Sequence, residues 1–343
     1  MRLSFASTPA TDSSTAKDAA QGAFQAPNDV RVAMVVEQMW QPVPGGSGTY
    51  ITNLAHSLRA QGVKVAGIAA RRSHNDPGSS AVGLETMPVR YANLPRPALY
   101  ESWNRLHSPL AEAILPASDL VHATTWAIAP TRKPLVVTVH DLAFLRNPEH
   151  FTKRGNSYFR KSLQRTIKEA QAVIVPSQAT ADDCYEAGID SERVHVIPHG
   201  VSVQEVSASQ IDLFRTAYGL SRPYVLWTGT REPRKNLPGL LHAFSRIAGE
   251  FPQLDLVLVG PSGWGDDAVE RQLIQAIGTS RVHVLGHLAQ DTLQQAYAGA
   301  RAFVFPSYWE GFGLPVLEAM AHSVPVVTSL GTSTAEVAGD CGI

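Results

Sequence analysis

The sequence holds little cysteine: Cys184 and Cys341 are the two in 343 residues, and they lie far apart. This excludes a disulfide framework and makes a reducing, cytoplasmic setting the expectation. No charge sign is in excess. Lys plus Arg is 29, Asp plus Glu is 30, and the net charge is -1. A globally basic surface for a nucleic-acid backbone is therefore excluded. No apolar run reaches the ~18 residues that a membrane-spanning helix needs. The first 29 residues, rich in Ala, Ser, Thr, Asp and Gln, lack the apolar stretch of a secretory signal and are expected to form a disordered tail. What is present suits a globular chain: 44% of residues are hydrophobic, and at ~150 residues per domain the length suggests two domains.

The apolar pattern alternates between periods. Val30 to Val36 is a run of strand length, apolar except for Arg31, as in a parallel sheet buried on both faces. A Gly-rich loop follows, then a helical stripe of Ile51, Leu54, Ala55 and Leu58 closed by Gly62, then a strand from Val63 to Ala69. Further strands are predicted at 119–122, 134–139, 172–175 and 194–197, with helices at 153–170 and 178–187. A less periodic stretch, 201–222, contains one short predicted helix, 211–218, and reads as a linker. The alternation then restarts, with strands at 224–228, 254–259, 282–285, 302–305 and 324–328. Helices are predicted at 237–249, 267–277, 292–298 and 314–321. Strands alternating with helices give parallel sheets with right-handed crossovers. The expected organisation is an α/β chain of two doubly wound, Rossmann-like domains, 30–200 and 223–343, facing a cleft. Ligands should bind beyond the carboxyl ends of the strands.

Three loops at such ends carry unusual chemistry. Pro44 to Thr49 is glycine-rich and leads into a helix, which suits close approach of an anion; the alternative is a tight turn into that helix. Its spacing is not that of a dinucleotide fingerprint, and no acid follows the second strand to hold a ribose. Thr228 to Asn236 carries Arg231, Arg234 and Lys235 between a strand and a helix. Converging cations suit a diphosphate, although such clusters are often only solvated. Phe305 to Glu318 places Glu310 in a loop with Gly311 and Gly313, whose backbone amides can face a ligand through Leu314, and Glu318 on the next helix. Pro315 suits the first helical turn. His140-Asp141 ends a first-domain strand, where a histidine serves structure or catalysis equally well.

These residues resemble the retaining, nucleotide-sugar-dependent glycosyltransferases of family 4, of GT-B fold, over roughly residues 30 to 343. The most specific part is Ser307 to Ala321, similar to the family's signature of two glutamates separated by seven residues. Gly229 to Leu237 resembles its phosphate-binding loop. Pro44 to Gly48, Val139 to Asp141, Val175 to Ser177 and Ile197 to Gly200 match weaker landmarks. The resemblance implies that Arg234 and Lys235 neutralise the diphosphate, with Arg231 a lesser partner because Thr230 stands where many relatives have arginine. It implies that Glu310 contacts the donor sugar and Glu318 the ribose. Gly311, Phe312, Gly313 and Leu314 would hold phosphate and sugar through their backbone. His140 would sit near the reacting sugar, and Gly46 near donor phosphates or acceptor. Glu336 resembles a landmark with no assigned role. The chain ends at Ile343, where relatives usually continue with a further strand and helices.

The expected activity is transfer of mannose or a similar hexose or deoxyhexose, from a nucleotide sugar such as GDP-mannose, to a glycan or lipid-linked acceptor. With no Asp-x-Asp motif nearby, neither a metal nor another cofactor is expected. The alternatives are a catalytically inactive sugar-nucleotide-binding homologue, suggested by the early end of the chain, and a non-transferring enzyme on the same fold. Residues 153–168 add a basic helix. Arg154, Lys161, Arg165 and Lys168 share a face opposite Phe159, Leu163, Ile167 and Ala170. That face is either solvated or drawn to an anionic membrane, which would put the protein at the inner membrane surface.

Overall fold

The computed structural model describes residues 29–41, 45–72, 87–263 and 267–343. The expected tail, 1–29, falls outside them except for Asp29, as do Pro42 to Pro44 of the first glycine loop. Seven strands make the first sheet: β1 (Arg31–Val35), β2 (Lys64–Ala69), β3 (Val89–Tyr91), β4 (Leu120–Ala123), β5 (Leu135–Thr138), β6 (Ala172–Val175) and β7 (Val194–Val196). Their order is β3-β2-β1-β4-β5-β6-β7, and every pairing is parallel. The first-domain helices are α1 (Gly45–Ala60), α2 (Arg96–Arg105), α3 (Ala111–Ile114), α4 (Ala143–Arg146), α5 (Lys153–Glu169) and α6 (Gln178–Glu186). They cover both faces, which is why β1 and β5 are buried nearly throughout. One core, around Leu99, Trp103, Val137 and Leu163, fills one side; another, around Met34, Ile51 and Ala69, fills the other.

The second sheet has five parallel strands in the order β10-β9-β8-β11-β12: β8 (Tyr224–Thr228), β9 (Asp255–Val259), β10 (Val282–Gly286), β11 (Ala302–Phe305) and β12 (Val326–Thr328). Its helices are α7 (Ala208–Ala217), α8 (Leu237–Ile247), α9 (Asp267–Ile277), α10 (Gln290–Ala298), α11 (Leu314–Ala321) and α12 (Ser333–Ala338). A capping box between Ser207 and Gln210 starts α7, and its Phe214 sits in the second-domain core beside Trp227 and Phe303. No described helix is long and apolar enough to cross a membrane.

Two departures from expectation have physical causes. Residues 87–118 form β3, α2 and α3, where no elements were predicted; α2 buries only Leu99 and Trp103, so its stripe is thin. Arg165 does not join the basic face of α5. Its guanidinium is buried and donates to the Ile128 carbonyl at 2.8 Å while pairing with Glu169. α2 and the segment after β4 cover that part of the helix. Lys153, Arg154, Arg160, Lys161 and Lys168 remain exposed.

Topology locates the crevices. In the second sheet the chain runs outward from β8 to β10, then crosses to β11 on β8's other side. The loops leaving β8 and β11 therefore diverge at a switch point, where open α/β sheets bind ligands. Those loops are the arginine–lysine loop and the Glu310 loop.

Candidate active site

After β8, residues 233–235 make a 3-10 turn closed by Asn236 in the left-handed region, φ 53°. The turn aims its cations at the β11 loop. Lys235 Nζ donates to Glu310 Oε1 at 2.6 Å, and Arg234 Nη1 donates to Glu310 Oε2 at 2.6 Å. Arg234 also holds the Trp309 carbonyl at 2.7 Å and Glu232 Oε1 at 2.6 Å. Lys235, Glu310 and Glu232 are each below 10% exposed, so these charges meet in a poorly solvated place. Burial opposes ionisation of Glu310, but the Arg234 and Lys235 charges outweigh it and hold its carboxyl at about 2. Burial also opposes the charge on Arg234, yet Glu310 and Glu232 raise its pKa above the ordinary arginine value. Lys235 is lowered by burial, with Glu310 opposing the shift.

The facing wall comes from the first domain. His140 Nε2 lies 3.0 Å from the Thr124 carbonyl, which only accepts, so this nitrogen carries the hydrogen and Nδ1 keeps a lone pair. Burial lowers the His140 pKa, keeping the ring neutral near pH 7. Tyr50 meets it edge-on at 4.9 Å between centroids. A cavity of about 460 Å³ is lined from both domains, by Gly46, Trp126, His140 and Asp141 on one side and Glu232 and Arg234 on the other. Aromatic residues, among them Tyr100, Phe151 and Tyr158, also line it.

The Glu310 loop is pressed against that wall. A Cβ on Gly311 would lie 1.7 Å from the His140 carbonyl oxygen, so only glycine fits. Phe312 is buried edge-on to His199, at 5.0 Å. Gly313 takes φ 99° and precedes Leu314, the first residue of α11, with Pro315 in the opening turn as the sequence suggests. Leu314 Cδ1 lies 3.7 Å from where a Gly46 Cβ would be.

The structure thus gathers Gly46, His140, Arg234, Lys235, Glu310 and the backbone from Gly311 to Leu314. Two other candidates make their bonds elsewhere. Glu318 accepts a 2.8 Å bond from Tyr297, which is also 2.8 Å from Thr228 at the end of β8; burial raises the Glu318 pKa. It is tied to the base of the arginine–lysine loop and, like Lys235 and Glu310, lies outside the lining of that cavity. Arg231 turns away, bonding Ser262 at 2.6 Å and lying 3.6 Å from Glu270 on α9. Sequence reasoning gave no role to Glu232, Tyr297 or Trp126. Glu232 sits within the quoted loop, but its two-residue spacing to Arg234 signals a pair only once the turn is known. Trp126 follows β4, at a strand end that periodicity had already located.

Residues 44–205 match a family model described as Glycosyltransferase Family 4, and residues 211–341 match one described as Glycosyl transferases group 1. The chain is 32% identical over 255 residues to the O-antigen chain mannosyltransferase B of Escherichia coli, covering 72% of this chain and 67% of that one. It is 31% identical over 292 residues to the serotype-specific mannosyltransferase WbdA of Escherichia coli, covering 80% of this chain and 34% of WbdA. The chain therefore spans about two thirds of the first relative and about a third of the second. Among solved structures, Anabaena Alr3699/HepE in complex with UDP and glucose superposes with a TM-score of 0.68 at 23% identity, over 90% of this chain and 82% of that one. WaaG, a glycosyltransferase involved in lipopolysaccharide biosynthesis, gives a TM-score of 0.68 at 19% identity, over 92% and 85%.

Proposed function

The chain belongs to the GT-B glycosyltransferases that join a Family 4 module to a group 1 module, and from that premise we propose that it moves mannose or a similar hexose from a nucleotide sugar to a glycan or lipid-linked acceptor, with retention of configuration. The observation that carries this reading is the buried junction of Arg234, Lys235 and Glu310 at the β8/β11 switch point, opposite His140 across a cavity shared by both domains. The names of the relatives, two of them mannosyltransferases, support mannose. GDP-mannose is the proposed donor. A binding-only homologue is not favoured.

Breaking a sugar–phosphate bond builds negative charge on the departing diphosphate and positive character on the sugar. Arg234 has five N–H groups, of which the carboxylates and the Trp309 carbonyl occupy three, and Lys235 has further donors beyond Glu310. The unspent donors, with the first amides of α11, are preorganised for the diphosphate. No metal is required in this reading. Neutral His140 offers its Nδ1 lone pair to a sugar hydroxyl. Glu310, held ionised at about 2 by two cations, is a poor nucleophile, which favours attack by the acceptor on the leaving-group face over a covalent intermediate. The aromatic residues and the shared lining suit an acceptor sugar beside the donor. Closing the cleft around both substrates excludes water and limits donor hydrolysis.

The test is a thermal-shift panel of GDP-, UDP-, ADP- and dTDP-sugars, followed by transfer assays with mannose oligosaccharides. A melting-temperature rise with GDP-mannose that disappears in Lys235→Ala is the expected result. A rise with another nucleotide alone would replace the donor, and no rise with any would remove the reading.

A further inference from the structure

Glu336 has no task in the site described so far. It lies on α12 in the second domain, yet both carboxylate oxygens reach the first: Oε2 accepts from the Gln178 amide at 2.8 Å, and Oε1 accepts from the Ala179 amide at 2.7 Å. These are the opening amides of α6, which have no partner within the helix, and a carboxylate is favoured there. The N-cap of α6 is Ser177. Its Oγ accepts from the Thr180 amide at 3.1 Å and donates to the Gly311 carbonyl at 2.7 Å. Thr180 Oγ1 donates to the same carbonyl at 3.0 Å, and both hydroxyl side chains are buried. On the other side of the loop, Ser333 Oγ, also on α12, donates to the Glu310 carbonyl at 2.7 Å. The start of one helix in the first domain and one short helix in the second therefore grip consecutive carbonyls, and Glu336 ties those two helices to each other.

We infer that Glu336, Ser177 and Thr180 are positioning residues: they couple the placement of the Glu310 carboxylate to the docking of the two domains. The inference rests on the transferase reading above for its catalytic consequence and on geometry for its mechanical one. Gly311 has no side chain with which to anchor itself, so its carbonyl is its handle. Two donors fill both lone pairs of that carbonyl, and they come from the opposite domain. If the domains part, the loop loses these bonds, and the Glu310 carboxylate is no longer held in register with Arg234 and Lys235. A misplacement of ~1 Å at such a site can cost about a hundredfold in rate.

The experiment compares the full chain with Glu336→Ala, Glu336→Gln and Ser177→Ala by hydrogen exchange and by steady-state transfer. Glu336 is exposed, so its replacement is expected to leave the chain folded. Amides of residues 307–314 are expected to exchange roughly tenfold faster in Glu336→Ala, while the first sheet is unchanged. The expected kinetic effect is a drop in kcat of roughly tenfold or more with donor KM within about threefold, Glu336→Gln falling between because it retains one acceptor oxygen. Unchanged exchange at 307–314, or a lowered melting temperature with unaltered kcat, overturns the inference. Loosening of the loop in a chain whose wild type transfers no sugar keeps the coupling and removes the proposed function.

Discussion

Glu310 and Lys235 respond differently to loss of a partner, because one is the hub of the charge cluster and the other a spoke. Glu310→Gln leaves Arg234 and Lys235 buried with their shared ion-pair partner gone and Glu232 still paired to Arg234. Stranding buried charge in this way is expected to cost roughly 3–5 kcal/mol, read as a lower urea midpoint. Lys235→Ala leaves Glu310 still paired to Arg234 at 2.6 Å, so the stability loss should be smaller. Its activity loss should be larger in kind: removing one donor to developing charge typically lowers kcat by ~100–1,000-fold. Comparable midpoints for the two variants would contradict this partition. At Gly311, alanine would put a Cβ 1.7 Å from the His140 carbonyl. Gly311→Ala is expected to fold, since each domain has its own core, but to lose transfer activity; a variant with unchanged kcat would show that the seam yields freely. The identities of Glu310, Arg234 and Lys235 were legible because their spacing fits loops at strand ends. Their mutual bonds were not, because 75 residues separate Lys235 from Glu310 and only the switch-point topology joins them.

Helix α5 shows what periodicity reads and what it misses. Thr152 caps it by accepting from the Gly155 amide at 3.1 Å, and Leu163 packs into the sheet core with Phe159 and Ile167 beside it, as the stripe requires. The opposite stripe reads as uniformly basic, yet Arg165 is a buried tie to Ile128 and Glu169. Periodicity gives the angular position of a residue on its own helix and says nothing about a second layer, here α2, that covers part of the outer face. α2 escaped detection because it buries two residues in ten. α12 escaped because it has six residues, too few to show a period. Two outcomes follow for α5. Arg165→Ala leaves the Ile128 carbonyl without its donor and is expected to destabilise the chain by ~1–3 kcal/mol in urea titrations. Lys161→Glu with Lys168→Glu changes exposed positions and should leave stability within ~0.5 kcal/mol. If the exposed basic residues meet an anionic membrane surface, wild type sediments with anionic vesicles at low salt and the double variant does not; equal sedimentation of the two would end that proposal.

At the scale of the whole molecule, the first sheet has an apolar core on each side and the second sheet a core of its own, and the cores do not merge across the domains. What joins the halves is polar and aromatic: the Gly311 carbonyl bonds, the Glu336 cap, Arg146 over the Trp309 ring at 3.7 Å, and His199 against Phe312. The alternation of strands and helices made the two lobes legible, but a seam made of single hydrogen bonds leaves no periodic trace in sequence. At this seam, and beneath it in the first sheet, lie groups whose protonation is suppressed. Burial brings His122 and His199 down to about 4 and also lowers His140. His122 is 2.8 Å from Thr138, which in turn is 2.9 Å from Tyr50, and the rings of Tyr50, His140 and His199 lie against one another. In the unfolded chain these histidines titrate near 6.5. Between pH 6.5 and 4 the unfolded state therefore binds more protons than the folded one, and stability rises with pH across that window. The contribution is fully present above pH 6.5 and is lost on acidification, amounting to roughly 3 kcal/mol by pH 4 for His122 alone. Glu310, held at about 2, adds a further loss below about pH 4.5, when the unfolded carboxylate protonates first. Glu318, whose pKa burial raises, acts in the opposite sense, its contribution fading as pH rises through its folded pKa. The histidines outnumber it, so the urea midpoint is expected to fall steadily from pH 7 to pH 4.5, and less steeply in His199→Gln. A midpoint flat between pH 7 and pH 5 would mean that the histidines protonate as readily in the folded protein as in the unfolded chain, and that the seam around Tyr50 is open to water.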